Sequence, residues 1–297
     1  KKFKIKNSYY DYGTLLIPVV GQSKKPEKIF ELLTEISEKT GIDVYSLSSG
    51  YEDNIGFGSN SFTTIKKPKI GLIVGNGVRS YDAGEIWHLF DTRYGIPITK
   101  LDVKNLNRTN LTEYSHIILP SYSGSSINID IIKDYLKGGG NIVAYRNSIN
   151  WLEKNKIVSV DFLKHERYAS NVSFEDRRKF SGSQVIGGTI FNTKIDKSHP
   201  INFGIKNNDL PIFKNNTIFM KPDENSYNNP ITYSKNPLMS GYVSDENLEL
   251  LKKSVPFKVE RYYAGKIFLF SNNTNFRAFW YGTNRLLMNS IYLSNKM

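Results

Sequence analysis

Residues 69–75 read KIGLIVG, and this run leads into the turn Gly75-Asn76-Gly77. A continuous apolar run of this length is typical of a strand buried on both faces of a parallel sheet. Residues 80–94 follow with apolar positions at helical spacing, which predicts a helix that packs on that strand. The sequence here therefore predicts the first strand, turn and helix of an α/β domain.

The same alternation of strand and helix continues along the chain. Further strands are predicted at 98–103, 116–120 (HIILP), 141–145 (NIVAY) and 266–270 (KIFLF), with helices at 128–137 and 283–293. Strands that alternate with helices of this length favour a parallel sheet with both faces covered, flavodoxin-like or doubly wound.

Two flanking regions have other patterns. Residues 13–48 read as a small strand–helix–strand unit of βαβ type, with apolar strands at 14–20 and 43–47. The Gly-, Ser- and Asn-rich stretch to residue 68 is predicted to be a linker. We therefore expect two domains, 1–68 and 69–297. The second carries an insertion of antiparallel strands and loops at about 157–265.

Composition limits the chemistry. The 297 residues include no cysteine, which excludes disulfides, zinc–thiolate sites and a cysteine nucleophile. The net charge is +12, but its densest clusters, residues 1–6 (KKFKIK) and 177–179, are small. We interpret them as solvated surfaces, so nucleic acid is not an expected partner. No apolar run is long enough to span a bilayer. The chain opens on Lys, which suggests an excised piece.

The histidines do not form a metal motif. His88, His116, His165 and His199 lack a second ligand at the spacing that zinc sites use. We expect His88 to be a packing residue and no metal or other cofactor to bind this chain. The turn at Gly75 resembles half of a dinucleotide fingerprint, but Ser80 stands at its third glycine position, so nucleotide binding is the less favoured alternative.

The predicted strand 141–145 ends at Arg146, where hydrolases and amidotransferases of this architecture carry their nucleophile. An arginine side chain stays protonated and can act neither as nucleophile nor as base. We expect Ser148 to cap the following helix. His199-Pro200-Ile201 has no carboxylate to orient the histidine, so we interpret it as a turn.

Five stretches of the sequence, taken in their order along the chain, carry a family resemblance. They are residues 13–19 (GTLLIPV), 45–50 (YSLSSG), 67–72 (KPKIGL), 80–89 (SYDAGEIWHL) and 275–284 (NFRAFWYGTN). Together they resemble the C-terminal half of bacterial zinc carboxypeptidases of the carboxypeptidase A-like superfamily that carry a glutamine-amidotransferase-like domain. The resemblance spans residue 10 to the end and implies a class I glutamine-amidotransferase-like fold.

The resemblance also implies a secreted or periplasmic exopeptidase whose zinc ligands and catalytic Glu lie in an upstream domain. No residue here corresponds to them, so zinc is expected only upstream and no catalytic residue is assigned to this chain. The upstream peptidase domain of the same polypeptide is the expected partner. The role implied for this region is a non-catalytic scaffold or a domain that presents substrate.

Ligands of an open parallel sheet gather at the carboxyl ends of its strands. The polar and aromatic candidates for this rim are Arg79, Asp82, Glu85, Ser121, Tyr122, Arg146, Asn147, Arg277, Trp280 and Tyr281. These residues could hold a peptide terminus or a carbohydrate. Alternatively, Arg146 or Arg277 could pair with Glu85 in a buried network that fixes the domain. We favour this second, structural interpretation. The alternative function is a self-standing protein of this fold that binds or processes a small anionic ligand, peptide or sugar.

Overall fold

The computed structural model describes residues 2–5, 8–52, 55–164 and 171–297. Lys1, Lys6 and His165, which were considered above, lie outside the described residues. The chain divides into two compact units, Lys1–Ile65 and Lys66–Met297. No helix in the described ranges combines the length and the hydropathy that a membrane span requires.

The described residues of the first unit form one helix and two short antiparallel strand pairs. Its elements in chain order are β1 (Phe3–Ile5), β2 (Ser8–Tyr10), α1 (Pro26–Thr40), β3 (Tyr51–Glu52) and β4 (Ile55–Gly56). β1 pairs antiparallel with β2, and β3 pairs antiparallel with β4. Helix α1 confirms the predicted helix. It begins at Pro26, whose fixed φ suits a first turn, and ends at Gly41, which adopts the left-handed φ of 67° that residues with a Cβ avoid.

The predicted strands 14–20 and 43–47 are wrong as secondary structure. Neither segment has a strand partner among the described residues, and a strand needs a hydrogen-bonded neighbour. Their apolar side chains are largely exposed, including Leu15, Val20 and Tyr45. The fully buried apolar side chains described in this unit are Ile5, Ile29 and Ile55. Three such residues form a very small core for a unit of this length.

The second unit alternates strands and helices before and after an insertion. Its elements are β5 (Ile70–Val74), α2 (Ser80–His88), β6 (Thr99–Asp102), β7 (His116–Leu119), α3 (Ile129–Lys137), β8 (Asn141–Tyr145), α4 (Asn147–Lys154), α5 (Arg177–Ser183), β9 (Thr189–Ile195), β10 (Asp209–Lys214), β11 (Ile231–Ser240), α6 (Asp245–Lys252), β12 (Phe257–Tyr262), β13 (Gly265–Phe270) and α7 (Asn284–Tyr292). The predicted helix 80–94 is α2 followed by a π-helical turn, Leu89–Tyr94.

The main sheet has the strand order β12-β13-β8-β7-β5-β6. Strands β6, β5, β7, β8 and β13 are parallel, and β12 is an antiparallel edge. Numbered along the chain, the parallel strands are in the order 2-1-3-4-5, which is the flavodoxin-like order. This order confirms the predicted flavodoxin-like, class I glutamine-amidotransferase-like fold. A separate antiparallel sheet, β10-β9-β11, confirms the predicted antiparallel insertion.

Alternate residues of the parallel strands enter two hydrophobic clusters. One cluster contains Leu72, Val143 and Phe268 together with Phe191 and Ile212 of the insertion. The other contains side chains of the same strands that point the opposite way, such as Ile73 and Ile142 of β5 and β8, and it includes side chains of α3 and α4. The insertion therefore shares a core with the main sheet, because its apolar side chains belong to the same cluster.

Two expectations about α2 need correction. His88 is exposed rather than packed, and its imidazole Nδ1 lies 3.3 Å from the Thr92 hydroxyl. The apolar positions of the predicted helix, which include Trp87, are expected to pack on the strand, but Trp87 is 43% exposed and the Lys100 ammonium lies 4.5 Å from the centre of its ring. Leu89 and Phe90 are buried as expected, since they face the sheet.

Candidate functional site

Strand β8 passes into α4 through a strained turn at Arg146. The backbone of Arg146 has φ 55° and ψ −119°, a region that residues other than glycine rarely occupy. Two hydrogen bonds hold this conformation. The Arg146 N–H donates to the Phe270 carbonyl at 2.8 Å, and the Arg146 carbonyl accepts from the Ile149 N–H at 3.0 Å. The turn is therefore an elbow of the kind that carries a nucleophile in enzymes of related architecture, and here it carries arginine.

The Arg146 side chain is buried against a carboxylate of α2. One terminal guanidinium nitrogen, Nη1, donates to both carboxylate oxygens of Asp82 at 3.1 Å. Arg146 is 5% exposed and Asp82 is 6% exposed, so water screens this pair weakly. The half-exposed Arg79 adds a longer contact, 3.6 Å from its Nε to Asp82 Oδ1. Within the buried network considered as one alternative above, Arg146 therefore pairs with Asp82 rather than with Glu85.

Burial and pairing act in opposite directions on these groups. Burial raises the pKa of Asp82, while the guanidinium groups of Arg146 and Arg79 oppose that rise. Burial lowers the pKa of Arg146, and the Asp82 carboxylate opposes that change. The Nε of Arg146 has no hydrogen-bond partner within the described part of the chain. The pair thus keeps two charges inside the protein, each of which depends on the other.

Glu85, one turn further along α2, connects the helix to the segment after β13. Its Oε2 accepts from the Asn273 side-chain amide at 2.6 Å, and its Oε1 accepts from the Arg277 backbone N–H at 2.7 Å. Burial raises the pKa of Glu85, and these two hydrogen bonds oppose the rise. Both carboxylate oxygens are therefore engaged in holding the chain that follows the last strand.

We call residues 276–281 the clip. Arg277 and Ala278 have φ values of 49° and 56°, the left-handed region that side-chain-bearing residues avoid. The Trp280 indole N–H donates to the Pro211 carbonyl at 3.3 Å, which ties the clip to β10. The Arg277 and Tyr281 side chains are exposed, whereas Trp280 is half-buried. Three predicted rim residues lie in the clip, and of these only the Trp280 side chain packs against the protein.

Lys214, at the end of β10, is a buried cation that the sequence did not reveal. It is 1% exposed, and its ammonium donates to the Ile218 carbonyl at 2.8 Å and to the Asn216 side-chain oxygen at 3.0 Å. The Ser271 carbonyl and hydroxyl lie at 3.5 and 3.4 Å. Burial lowers the pKa of Lys214 to about 7, and the positive charge of Arg146 adds to this effect.

The remaining predicted rim residues, Ser121, Tyr122 and Asn147, all form hydrogen bonds within the protein. Ser121 is buried, and its carbonyl accepts from the Arg79 N–H at 2.9 Å. Tyr122 does not line the rim, because its ring is fully buried edge-on against Trp151 and its hydroxyl accepts from two backbone N–H groups. Asn147 is exposed and its amide donates to the Ser123 hydroxyl at 3.0 Å.

Ser148 is not a helix cap, which corrects the prediction. Its hydroxyl donates to the Pro120 carbonyl and accepts from the Tyr122 N–H at 2.9 Å. These two bonds satisfy the backbone where β7 ends, next to the elbow. Ser148 is fully buried, so it links the ends of β7 and β8 rather than closing the first turn of α4.

The described residues contain no cluster of three or more side chains that could ligate a metal ion. His116 is buried, and burial lowers its pKa to about 4. His199 Nδ1 accepts from the Ile201 N–H and begins a short 3-10 turn, as expected for a turn residue. These histidines lie in separate elements, and zinc therefore has no set of converging ligands in the described ranges.

Backbone geometry explains the glycines of the turn after β5. Gly75 and Gly77 have φ values of 103° and 81°. A Cβ on Gly77 would lie 2.9 Å from the Gly124 Cα, a distance that real side chains do not reach. A dinucleotide-binding domain also needs an acidic residue roughly 20 positions after this turn to bind the ribose. Asp102 is the candidate for that role, but its carboxylate accepts a hydrogen bond from the Lys104 N–H and caps a 3-10 turn. The turn thus requires these glycines whether or not a nucleotide binds.

Three residues of the site escaped the sequence-based selection. Asn273 lies in a polar run directly after the buried strand KIFLF, and that position was a usable signal. Lys214 gave no signal, because its strand belongs to the insertion, which reaches the main sheet only through tertiary packing. Arg93 stacks on Tyr281, with its guanidinium carbon 3.9 Å from the ring centre, and only the fold brings these residues together.

Comparison with known proteins yields only distant structural matches. No protein-family model and no curated protein matches the sequence. The structure is similar to a Salmonella typhimurium protein described as cytoplasmic, with 12% identity, a TM-score of 0.45, and coverage of 75% of this chain and 97% of that one. It is also similar to a ThuA-like protein from Parabacteroides merdae, with 14% identity, a TM-score of 0.46, and coverage of 75% and 88%.

A β-galactosidase from Bacillus circulans is similar at 9% identity with a TM-score of 0.42. The match covers 77% of this chain but only 31% of the galactosidase chain. The fold assignment therefore rests on the strand order of the main sheet.

Replacement of Arg146 by Met should destabilise the protein by about 3–5 kcal/mol, because the Asp82 carboxylate would stay buried without its main partner. Urea unfolding measures this change. The double variant Arg146→Met/Asp82→Leu removes both charges and should recover a large part of the loss. A single-variant loss below about 1 kcal/mol would show that the pair is not buried in solution.

Lys214 should make stability depend on pH above neutrality. Between its folded pKa of about 7 and its unfolded value of 10.5, the unfolded chain binds a proton that the folded chain has lost. The free energy of unfolding of the native protein, relative to Lys214→Met, should therefore rise with pH in this window, by up to about 1.4 kcal/mol per pH unit. Parallel curves for the two proteins from pH 7 to 10 would contradict the low pKa.

Proposed function

We propose that this chain is a non-catalytic accessory region, a scaffold or a domain that presents substrate, attached to a zinc metallocarboxypeptidase. The peptidase active site and its zinc would lie in an upstream domain of the same polypeptide. The observation that carries the proposal is the buried Arg146 at the elbow. At the position where related enzymes place a nucleophile, this chain holds a permanent cation in an internal ion pair.

The neighbouring charged groups are occupied in the same way. The Asp82 carboxylate faces Arg146, and both oxygens of Glu85 accept hydrogen bonds from the segment after β13. The Lys214 ammonium is enclosed by backbone and side-chain oxygens and is almost unexposed. A catalytic group must be able to contact the substrate. The polar atoms of these side chains instead bond to other parts of the fold. The residues concerned are Asp82, Glu85, Arg146 and Lys214.

The first unit supports the idea of a neighbouring domain. Phe30 is 73% exposed on α1 and Val20 is 90% exposed in the preceding segment. Residues 14–20 and 43–47 have the apolar character of strands but no strand partner among the described residues. We propose that these exposed apolar side chains form an interaction surface, since large exposed apolar patches mark interaction sites. We propose that the upstream peptidase domain covers it, in a secreted or periplasmic protein.

The alternative is a self-standing protein of amidotransferase-like fold that acts on a small anionic ligand, peptide or sugar. The fold is compatible with it, and the exposed Arg277 of the clip favours binding over processing. Processing would require a reactive group at the elbow, where arginine offers none.

If the proposal holds, the purified chain should neither hydrolyse peptides nor gain stability from zinc. Equimolar zinc should leave the melting temperature unchanged, because the described histidines and carboxylates do not converge. The same chain preceded by its upstream domain should release C-terminal residues from peptides, and a chelator should abolish that activity. Peptide hydrolysis by the purified chain alone would overturn the accessory role.

Replacement of Phe30 by Ser should affect the two forms of the protein differently. In the chain alone, the change should alter the free energy of unfolding by less than about 0.5 kcal/mol, because the ring is already exposed. In the longer polypeptide it should cost about 2 kcal/mol or more, since a buried aromatic contact is lost. The matched variant Ile29→Ser should destabilise both forms, because Ile29 is 6% exposed. Equal, small effects of Phe30→Ser in both forms would argue against a covering domain.

A further inference from the structure

Contacts with α2 and β10 hold the clip in an unfavourable backbone conformation. Two consecutive residues, Arg277 and Ala278, adopt left-handed φ values. The Glu85 carboxylate binds the backbone of Arg277, and the Phe276 ring stacks on Phe213 of β10. Strain of this kind persists only where the surrounding structure enforces it, and it is concentrated at binding sites.

Aromatic and cationic side chains of the clip are exposed. Phe279 is 54% exposed, Tyr281 is 58% exposed, and the Arg277 side chain is also exposed. The Arg93 guanidinium carbon lies 3.9 Å from the centre of the Tyr281 ring. We call Arg93, Arg277, Phe279 and Tyr281 the arginine–aromatic surface. Its members come from the turn after α2 and from the clip, all within the second unit.

The two arginines of this surface lack acidic partners. In the described ranges, the arginines that form ion pairs are Arg79 and Arg146, both with Asp82. The Arg93 and Arg277 guanidinium groups instead contact the rings of Tyr281 and Phe276. A guanidinium that stacks on a ring keeps its N–H edge free to bind a carboxylate in bidentate fashion. The surface therefore complements a ligand that has both carboxylates and flat apolar faces.

We propose that the arginine–aromatic surface binds an acidic polysaccharide that carries uronate carboxylates. A pyranose ring presents an apolar C–H face that packs on an aromatic side chain, and its carboxylate would accept from Arg93 or Arg277. Two arginines and two exposed rings in one surface suit contact with more than one sugar of such a chain.

The exposure of this surface favours a polysaccharide over a peptide terminus. Carboxyl termini are captured in backbone nests that enclose the charge. The Phe279 and Tyr281 rings are instead more than half exposed, and the Arg93 and Arg277 side chains are exposed beside them. This inference goes beyond the accessory role and does not rest on it, since a self-standing protein could carry the same surface.

The test is a calorimetric titration of the full chain with tetragalacturonate at low ionic strength. Its methyl ester, which has the same sugar rings without charge, serves as the control ligand. We expect saturable binding of the acid and at least about tenfold weaker binding of the ester, because each charge-assisted hydrogen bond to arginine contributes roughly that factor. Added salt should weaken binding of the acid.

Variants locate the site. Arg93→Gln/Arg277→Gln should weaken binding of tetragalacturonate at least about tenfold. Tyr281→Ser should weaken it separately. The matched control Arg261→Gln removes an exposed arginine from β12, near the opposite end of the main sheet, and should bind like the native protein.

Both changes in the double variant affect exposed side chains, and circular dichroism verifies that the variants fold. The single variants Arg93→Lys and Arg277→Lys, which keep the charge but lose the planar fork, provide a second, milder test and should each weaken binding.

Three results would overturn the inference. They are no saturable binding of tetragalacturonate, equal binding of acid and ester, and unchanged binding by the folded double variant. The peptidase activity of a longer polypeptide is a separate measurement, so failure here leaves the accessory role standing, and the reverse also holds.

Discussion

The ion pair between Arg146 and Asp82 is the constraint on which the rest of the site depends. It joins the end of β8 to α2 within the protein, where an unpaired charge would be unfavourable by several kcal/mol. Glu85, one turn along the same helix, holds the segment after β13. Helix α2 therefore connects two strand ends of the main sheet through two carboxylates. The carboxyl edge, which in this fold is usually open to ligand, is closed by its own side chains.

This closure separates two kinds of position within the predicted rim. Asp82, Ser121 and Arg146 are buried and stabilise the fold, whereas Arg277 and Tyr281 are exposed on the clip. The buried set explains the strained elbow, since the backbone conformation of Arg146 delivers its side chain to Asp82. The exposed set has no such structural role, and this is why we infer a ligand there.

The sequence predicted the fold better than it predicted the site. Runs such as IGLIVG and IVAY are apolar throughout because both faces of a parallel sheet are covered, so these runs identified the parallel strands of the main sheet correctly, whereas the antiparallel edge strand β12 was missed. The same rule failed at residues 14–20, where an apolar run has no partner strand in the described ranges. The same rule also could not identify side chains that meet in the fold although they lie far apart in the sequence. Asp82 and Glu85 are both acidic residues of one helix, and only the packing of α2 decides which of them meets Arg146. Lys214 reaches the site from the insertion, through contacts that no local pattern encodes.

The central claim is that the carboxyl edge of the main sheet is closed in solution. Hydrogen–deuterium exchange at residues 145–149 and 271–278 tests it directly, because backbone amides at an edge that opens exchange long before the protein unfolds. The account predicts that amides with buried partners in both segments, such as that of Arg146, exchange as slowly as those in the centre of β7 and β8. Exchange as fast as that of exposed loops would mean that the edge opens, and would contradict a structural role for the Arg146–Asp82 pair.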